Sequence, residues 1–307
     1  MEHPKLVQVS RSVHAWIGAN GDSNAGAIVT PRGVVVIDTQ QLPSLARRFR
    51  AAIDEAIAAP PCLVVNTHAH LDHIAGNALF KDVPVLAHEK AAAALDAVFG
   101  PAARSDLTLS GFEATARLLW GNTLFDLVAE DDPQRDWFRQ QISAPEYATI
   151  PIVPPDQTFA DRFDVIMPDD VISMAYHGPA HSEGDITVHI QGEKVIFLSD
   201  LMFYRRFPWM GDCDLNGWID RLTTILALDV DVVIPGHGPP TDLSEVQRFR
   251  QLFIDLRLRV EAAIRAKTSE EAAMREIHLP DHAHLPRYDQ WRAINVKAAY
   301  RALKGSA

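Results

Sequence analysis

The stretch from residue 67 to residue 77 constrains this chain more than any other, because it gathers three histidines and one aspartate within six positions. These residues are His68, His70, Asp72 and His73. The apolar run 62–65 precedes them and is bounded by prolines and polar residues, so it predicts a buried strand. The histidines are therefore expected at the C-terminal end of that strand, where the chain leaves the sheet.

Imidazole and carboxylate groups at this density favour a metal site over a surface loop. Residues two apart on an extended segment point the same way, so His68 and His70 can bind one cation together. Asp72 and His73 lie beyond the strand and are better placed to hold a second cation beside the first. These ligands suit a borderline divalent ion such as zinc without any cysteine. The competing interpretation, ordinary surface histidines before a helix, would be favoured only for a single His-x-His pair.

The acidic balance of the chain narrows the classes of partner. With 307 residues and 47% hydrophobic content, the chain is long enough for one large domain or two ordinary ones with a sizeable core. A formal net charge of −11 argues against a general nucleic-acid binder and against an anionic membrane surface as a partner. We therefore expect a small-molecule substrate, no nucleic acid and no membrane. The sequence does not specify an oligomeric state.

The cysteines and the first residues are typical of a cytoplasmic enzyme. The two cysteines, Cys62 and Cys213, have neither the number nor the spacing of a disulfide framework or a CxxC metal motif. The first residues lack a basic segment followed by an apolar one, and the longest apolar runs fall short of a membrane span. We expect no secretory signal and a cytoplasmic location.

The first half of the chain combines a meander of short strands with strand–helix pairs. The predicted elements are strands at 13–17, 26–29, 34–38, 62–65 and 83–88 and helices at 43–58 and 89–98. Asp38, at the end of the third strand, either supports the metal loop or closes the strand as a turn residue. His88 ends a strand alone, which is more typical of a structural histidine than of a ligand.

The second half repeats this plan and supplies three more candidate ligands. Its predicted elements are strands at 158–159, 163–166, 171–177, 186–190, 194–198 and 230–234 and helices at 217–228, 243–266 and 287–303. His181, Asp200 and His237 each lie where a predicted strand meets a polar or Gly/Pro-containing loop. A second His-x-His pair, His282 and His284, lies between prolines and is expected at the surface.

Residues 101–155 differ from the rest of the chain. This region carries dense aromatic residues among helix formers and acids, and it predicts a mostly helical insertion within a single domain spanning 1–307. Aromatic residues at this density usually form local core. An insertion beside a metal site is also where a substrate cap would lie, so the region is a candidate for controlling substrate choice.

The combined pattern resembles the metallo-β-lactamase-fold hydrolase superfamily. The residues that carry the resemblance are His68-x-His70-x-Asp72-His73, His181 before Ser-Glu-Gly-Asp, the strand-end Asp200 and the Pro-Gly-His237-Gly-Pro element. The resemblance implies an α/β fold, a four-layer αβ/βα sandwich with the metals at one edge between two mixed sheets. The helical insertion and the C-terminal helices lie outside it. The true β-lactamases of the superfamily lack a bridging aspartate, so Asp200 favours another dinuclear branch.

The resemblance also implies a role for each ligand. The first metal would be held by His68, His70 and His181, the second by Asp72, His73 and His237, and Asp200 would bridge the two ions. Asp38 would be the structural acid under the loop. The cofactors implied are two divalent metal ions, with zinc expected and iron or manganese as alternatives.

Such a site predicts a hydrolase. A hydroxide held between two metal ions would attack an ester, lactone, thioester or amide carbonyl, and Asp72 would orient it and shuttle its proton. Arg205 and Arg206 follow Asp200 closely and either line the pocket or form a surface turn. The alternatives are an iron-dependent redox enzyme of the same fold, a β-lactamase-type amide hydrolase and a non-catalytic metal-binding protein.

Overall fold

The computed structural model describes residues 3–99, 107–109 and 111–305, and the fold within these ranges is mixed α/β. The strands are β1 (Lys5–Gln8), β2 (Val13–Ile17), β3 (Ala25–Thr30), β4 (Gly33–Ile37), β5 (Pro61–Asn66), β6 (Val85–His88), β7 (Leu107–Thr108), β8 (Pro151–Ile152), β9 (Gln157–Phe159), β10 (Arg162–Ile166), β11 (Val171–Tyr176), β12 (Ile186–Ile190), β13 (Val195–Phe203) and β14 (Val232–His237). The α-helices are α1 (Pro43–Ala56), α2 (Leu71–Ile74), α3 (Glu89–Phe99), α4 (Phe112–Trp120), α5 (Leu124–Leu127), α6 (Gln134–Gln141), α7 (Leu215–Ile225), α8 (Leu243–Arg265), α9 (Glu270–Glu276) and α10 (Tyr288–Gly305). Short 3-10 helices span Asn77–Phe80, Pro145–Thr149 and Pro280–His282.

Twelve of the described strands form two mixed sheets, and β7 and β8 form a separate two-stranded pair. The larger sheet has the order β1-β2-β3-β4-β5-β6-β9, and the smaller has the order β10-β11-β12-β13-β14. The predicted meander is confirmed, because β1 to β4 pair antiparallel. In contrast, β4, β5, β6 and β9 pair parallel, as do β13 and β14. Parallel neighbours end at the same edge of a sheet, so β4 and β5 end at one edge of the larger sheet, and β13 and β14 end at one edge of the smaller sheet.

Apolar side chains on the larger sheet alternate between two packing layers. On β4, Val35 and Ile37 belong to a cluster with residues of the smaller sheet, such as Met174. Their neighbours Val34 and Val36 instead pack in the cluster that contains the α1 residues Phe49 and Ile53. This alternation follows from the two-residue period of a strand. The larger sheet is therefore covered by α1 on one face and by the smaller sheet on the other.

The outer face of the smaller sheet packs against the C-terminal helices. Ile196 and Leu198 of β13 belong to one cluster with Trp218 of α7 and Phe253 of α8, whose rings lie 4.4 Å apart between centroids. The order helix, sheet, sheet, helix is the predicted four-layer αβ/βα sandwich, which is confirmed. No helix in the described ranges is long and apolar enough to cross a membrane.

Some elements of the structure were not predicted from the sequence. The predicted helices and strands have counterparts in the structure, but β1, the two-residue pair β7–β8 and α9 were not expected. Within the region 101–155, the described residues form α4, α5, α6 and a 3-10 helix, while residues 101–106 and 110 lie outside the described ranges. The limits of the insertion and the single domain over 1–307 remain predictions.

The placement of Asp200 at a strand end was wrong. Strand β13 continues to Phe203, so Asp200 lies within it. The pairing of β13 with β14 shifts register on both sides of Ser199, whose φ of +47° is in the left-handed region. This irregularity interrupts the regular alternation of side chains and turns the Asp200 carboxylate to the edge where β14 ends at His237.

The close approach of the sheets predicts a specific effect at Gly26. A Cβ atom at Gly26 would lie 2.2 Å from Cε1 of the Phe197 ring in the opposite sheet. Gly26→Ala should therefore lower the free energy of unfolding by about 1–3 kcal/mol, measured by urea denaturation. Gly305→Ala is the control, since no atom lies within 4 Å of its added Cβ. An unchanged urea midpoint for Gly26→Ala would contradict this account of the sheet contact.

Candidate metal centre

The structure brings all seven predicted ligands together at one edge of the sandwich. They form two groups that share Asp200, and within each group one side-chain atom of every residue lies within 4.8 Å of the others. The first group is His68, His70, His181 and Asp200, and the second is Asp72, His73, His237 and Asp200. The division is the one that the family resemblance implied for two metal ions. That these residues bind metal remains a prediction.

Asp200 faces one group with each carboxylate oxygen. Its Oδ2 atom lies 3.4 Å from Nε2 of His181 and 3.9 Å from Nε2 of His68. Its Oδ1 atom lies 3.1 Å from Nε2 of His73 and 3.5 Å from Nε2 of His237. A single carboxylate can therefore serve both groups at once.

The donor atoms of these groups fit a pair of divalent cations. Nε2 of His68 is buried and has no hydrogen-bond partner among the described residues, whereas Nε2 of His73 and Oδ1 of Asp200 contact each other at 3.1 Å. In the first group, Nε2 of His181 lies 3.0 Å from Nδ1 of His70, so one ring can donate a hydrogen bond to the other. A buried polar atom without a partner costs about 1–3 kcal/mol. Imidazole nitrogens and carboxylate oxygens that converge in this way are typical ligands of zinc and similar ions.

The three histidines of the first group are neutral. Burial lowers the pKa of His68 and of His70, and it lowers the pKa of His181 to about 3. At neutral pH these rings are uncharged. They therefore present lone pairs to a cation without first losing a proton.

The second group combines carboxylates with imidazoles whose pKa values are raised. Burial would raise the pKa of Asp72, but His73 and His237 bring it down to about 2. Conversely, burial would lower the pKa of His73, but Asp200 and Asp72 raise it well above its usual value. The pKa of His237 is also raised by the same carboxylates, against burial and the nearby Arg206 guanidinium.

Asp38 supports the site from beneath the metal loop. Its Oδ2 atom lies 2.8 Å from Nδ1 of His73, and its Oδ1 atom accepts a hydrogen bond from the Thr67 backbone N–H at 2.8 Å. A carboxylate on Nδ1 orients the ring and leaves Nε2 to face the cation side. Of the two roles that the sequence left open for Asp38, the supporting role is confirmed.

Two local features fix the remaining ligands. A Cβ atom at Gly236 would lie 1.9 Å from Oδ1 of Asp200, so only glycine fits before His237. The turn that carries His181 is closed by Asp185, which accepts hydrogen bonds from the Ser182 backbone N–H at 2.7 Å and from its hydroxyl at 2.6 Å. These contacts position the ligands before any ion binds.

A cavity of about 420 Å³ opens onto both groups. Its aromatic lining comes from the predicted insertion and from later segments, and it comprises Trp120, Trp137, Tyr147, Phe203, Trp209 and Trp291. The amide Nε2 of Gln41 donates a hydrogen bond to the Tyr147 hydroxyl oxygen within this cavity. The insertion therefore borders the candidate site, as a cap would.

The two arginines after Asp200 have different environments. Arg206 lines the cavity, with Nη1 2.8 Å from Nδ1 of His237 and its guanidinium 4.9 Å from the Trp291 ring. Arg205 is exposed and lies over the Tyr204 ring. Of the two, only Arg206 therefore lines the metal cavity.

Sequence reasoning missed several residues of the cavity wall. Asp22, Gln41, Arg287 and Trp291 line it but come from turns and from the C-terminal segment. No local pattern distinguishes them, because their position depends on how distant segments pack. The other histidines that sequence analysis considered lie outside the site. Nε2 of His88 lies 2.6 Å from the Ala160 carbonyl oxygen. Within the described residues, neither His282 nor His284 belongs to a cluster of side chains that could hold a metal ion.

Comparison with known proteins identifies related sequences. Residues 18–237 match the family described as the metallo-beta-lactamase superfamily. The chain is 24% identical over 229 residues to the 2,4-dinitroanisole O-demethylase subunit alpha of Nocardioides sp. (strain JS1661), covering 72% of this chain and 54% of that protein. It is 32% identical over 217 residues to the acyl-coenzyme A thioesterase MBLAC2 of Bos taurus, covering 66% of this chain and 68% of that protein.

A solved structure has the same fold over most of the chain. The stereoselective inverting sec-alkylsulfatase Pisa1 from Pseudomonas sp. superposes with a TM-score of 0.69 at 16% identity, covering 97% of this chain and 50% of that one. The chain thus spans about half the length of the sulfatase and of the demethylase subunit. At this identity the similarity to the sulfatase establishes the fold alone.

The shared carboxylate predicts the effect of Asp200→Asn on metal content. Wild-type protein should bind two metal ions per chain, whereas Asp200→Asn, which removes one of the two oxygens, should bind one or fewer after desalting. Plasma mass spectrometry of the folded proteins measures the ratio. Asp131→Asn, a change of an exposed carboxylate, is the control and should keep two ions. Two tightly bound ions in Asp200→Asn would refute the shared role.

The opposite pKa shifts predict the order in which acid removes the ions. Protons compete for His73 and His237, whose pKa values are raised in the metal-free protein, but hardly for His181, whose pKa is about 3. As pH falls, the ion of the second group should therefore leave first. Metal content after dialysis at stepwise lower pH should fall from two ions to one and then to none. In His237→Asn the loss of the first ion should disappear from the titration, while the loss of the second ion remains. Simultaneous loss of both ions from the wild-type protein would contradict the prediction.

Proposed function

Because this chain belongs to the metallo-beta-lactamase superfamily, we propose that it is a metal-dependent hydrolase that cleaves an ester, lactone, thioester or amide. The observation that carries the proposal is the Asp200 carboxylate, with one oxygen toward each group of buried histidines. A cavity lined by His70, Asp72 and His237 gives a small molecule access to that carboxylate. We further propose a cytoplasmic enzyme with a small-molecule substrate and no nucleic-acid partner.

Two divalent ions, zinc before iron or manganese, would occupy the two groups. His68, His70 and His181 would hold one ion, Asp72, His73 and His237 the other, and Asp200 both. When bound, such a pair lowers the pKa of water from about 15.7 toward neutrality and polarises the substrate oxygen. The protein's contribution is to hold the ligands in place and to orient the reactants.

Asp72 is the residue proposed to orient the nucleophile. It lines the cavity, and with a pKa of about 2 it is ionised at neutral pH. Its Oδ2 atom lies 3.4 Å from Nε2 of His237 and 3.6 Å from Nε2 of His73. An ionised carboxylate here can accept a hydrogen bond from the attacking water, fix the direction of attack and pass the proton to the leaving group.

Tyr147 is proposed to assist on the substrate side. Because Gln41 donates to the Tyr147 oxygen, the phenol proton is free to point into the cavity. Burial raises the pKa of Tyr147, so the phenol stays protonated. A hydrogen bond from this group to the substrate oxygen would stabilise the charge that develops there.

Two observations favour an acyl substrate. The cavity wall is rich in tryptophan side chains, which suit an apolar acyl group. Among the relatives, the thioesterase MBLAC2 is the one with 32% identity over two thirds of both chains. A sulfate ester is the second candidate, favoured by the partly buried Arg206 beside His237 and by the fold shared with an alkylsulfatase.

A substrate panel tests the proposal. Purified protein of known metal content is assayed on an ester, a lactone, a thioester, a β-lactam, a sulfate ester and a phosphodiester. We expect hydrolysis of a carbonyl substrate, with the thioester first. Turnover of the sulfate ester alone would favour the second candidate, and of the β-lactam alone the β-lactamase-type alternative. Oxygen-dependent turnover with bound iron would favour the redox alternative. Activity on no substrate would support a non-catalytic metal-binding protein.

The role of Asp72 predicts a loss of turnover. Asp72→Asn keeps the shape of the side chain but removes the charge that accepts the proton, so kcat should fall by about 100-fold to 10,000-fold. Metal content is measured on the same samples, and rates are compared at equal occupancy after metal is added back. Asp131→Asn is again the control. Wild-type kcat in fully loaded Asp72→Asn would exclude the proposed role.

A further inference from the structure

A second cavity, of about 720 Å³, lies next to the metal cavity. The wall between them is formed by Asn20, Gly21, Arg206, His237 and Arg287, which line both cavities. Since these residues are shared, a molecule that reacts beside His237 can extend past the arginines into the second cavity. The second cavity, here called the basic cavity, is thus placed to hold a remote part of the substrate.

The lining of the basic cavity is positively charged. Lys5, Arg205, Arg206 and Arg287 contribute four cationic side chains, and His3 adds an imidazole. No aspartate or glutamate is found among its lining residues within the described part of the chain. The whole chain, in contrast, has a formal net charge of −11. Cations gathered on one concave surface of an acidic protein concentrate anions there.

The carboxylates that act on Arg206 and Arg287 are those of Asp22, Asp72 and Asp200, which line the metal cavity and not the basic cavity. Nε of Arg206 is buried and has no hydrogen-bond partner among the described residues. Arg287 lies over the Trp137 ring at 5.2 Å, a contact that leaves the edge of its guanidinium available. Arg206 and Arg287 also line the same wall between the two cavities, so two like charges lie close together there. An anion between them would relieve both effects.

We propose that the basic cavity binds a phosphate-bearing part of the substrate. The inference rests on the proposed hydrolase function and narrows its substrate to acyl esters or thioesters whose remote end carries phosphate. Guanidinium groups bind phosphate oxygens in pairs, through parallel hydrogen bonds. Four cations in one cavity also exceed the need of a single carboxylate and suit a group with several negative charges.

Matched thioesters test the proposal. The same acyl group is presented on coenzyme A, which carries phosphates, on pantetheine, which carries none, and on N-acetylcysteine, which carries one carboxylate. The double variant Lys5→Gln/Arg205→Gln removes two exposed cations of the basic cavity. Its preference for the coenzyme A thioester over the pantetheine thioester, as a ratio of kcat/KM values, should fall about tenfold, equivalent to about 1.4 kcal/mol. Arg32→Gln, at an exposed position outside both cavities, should keep the wild-type ratio.

Direct binding separates this inference from the proposed function. Adenosine 3′,5′-bisphosphate, titrated calorimetrically into metal-loaded protein, should bind wild type and Arg32→Gln about tenfold more tightly than the double variant. This result would support the basic cavity even if no thioester is hydrolysed, an outcome that would count against the hydrolase proposal alone. Equal ratios and equal affinities in all variants would overturn the phosphate subsite. A preference for the N-acetylcysteine thioester over the coenzyme A thioester would overturn it too.

Discussion

The carboxylate of Asp200 is the contact on which the rest of the site depends. Its two oxygens face different groups of histidines, at 3.4 Å from Nε2 of His181 on one side and 3.1 Å from Nε2 of His73 on the other. Burying so many imidazoles and carboxylates is costly unless something satisfies them. A pair of divalent ions would do so, and the side chains that would hold them come from four separate chain segments that converge on one edge of the sandwich.

The fold meets that requirement through its parallel strands and two deviations from regular structure. The parallel pair β13–β14 brings Asp200 and His237 to the same edge, and the register shift at Ser199 turns the carboxylate toward it. Gly236 leaves room for that carboxylate, and Asp38 holds His73 from below. Local strain and close contacts of this kind are typical of functional sites. Two cavities lie beside these residues. Aromatic side chains line much of the first cavity, and cationic side chains line much of the second.

The clustering of the candidate ligands was predictable from sequence because four of them lie close together in the chain. His68, His70, Asp72 and His73 lie within six positions, and the strands around them follow a two-residue pattern that sequence displays directly. The interior position of Asp200 in β13 was not predictable, since a register shift depends on pairing with β14. The roles of Arg206 and Arg287 were hidden for a similar reason. They meet across 80 residues of chain only after the C-terminal helices pack against the smaller sheet.

Anomalous diffraction at metal absorption edges tests the central claim most directly. Crystals of the purified protein would be measured on both sides of the zinc, iron and manganese edges. The account predicts two anomalous peaks per chain about 3.5–4 Å apart, one on each side of the Asp200 carboxylate. A single peak in fully loaded protein, or peaks that do not touch Asp200, would contradict a shared dinuclear centre.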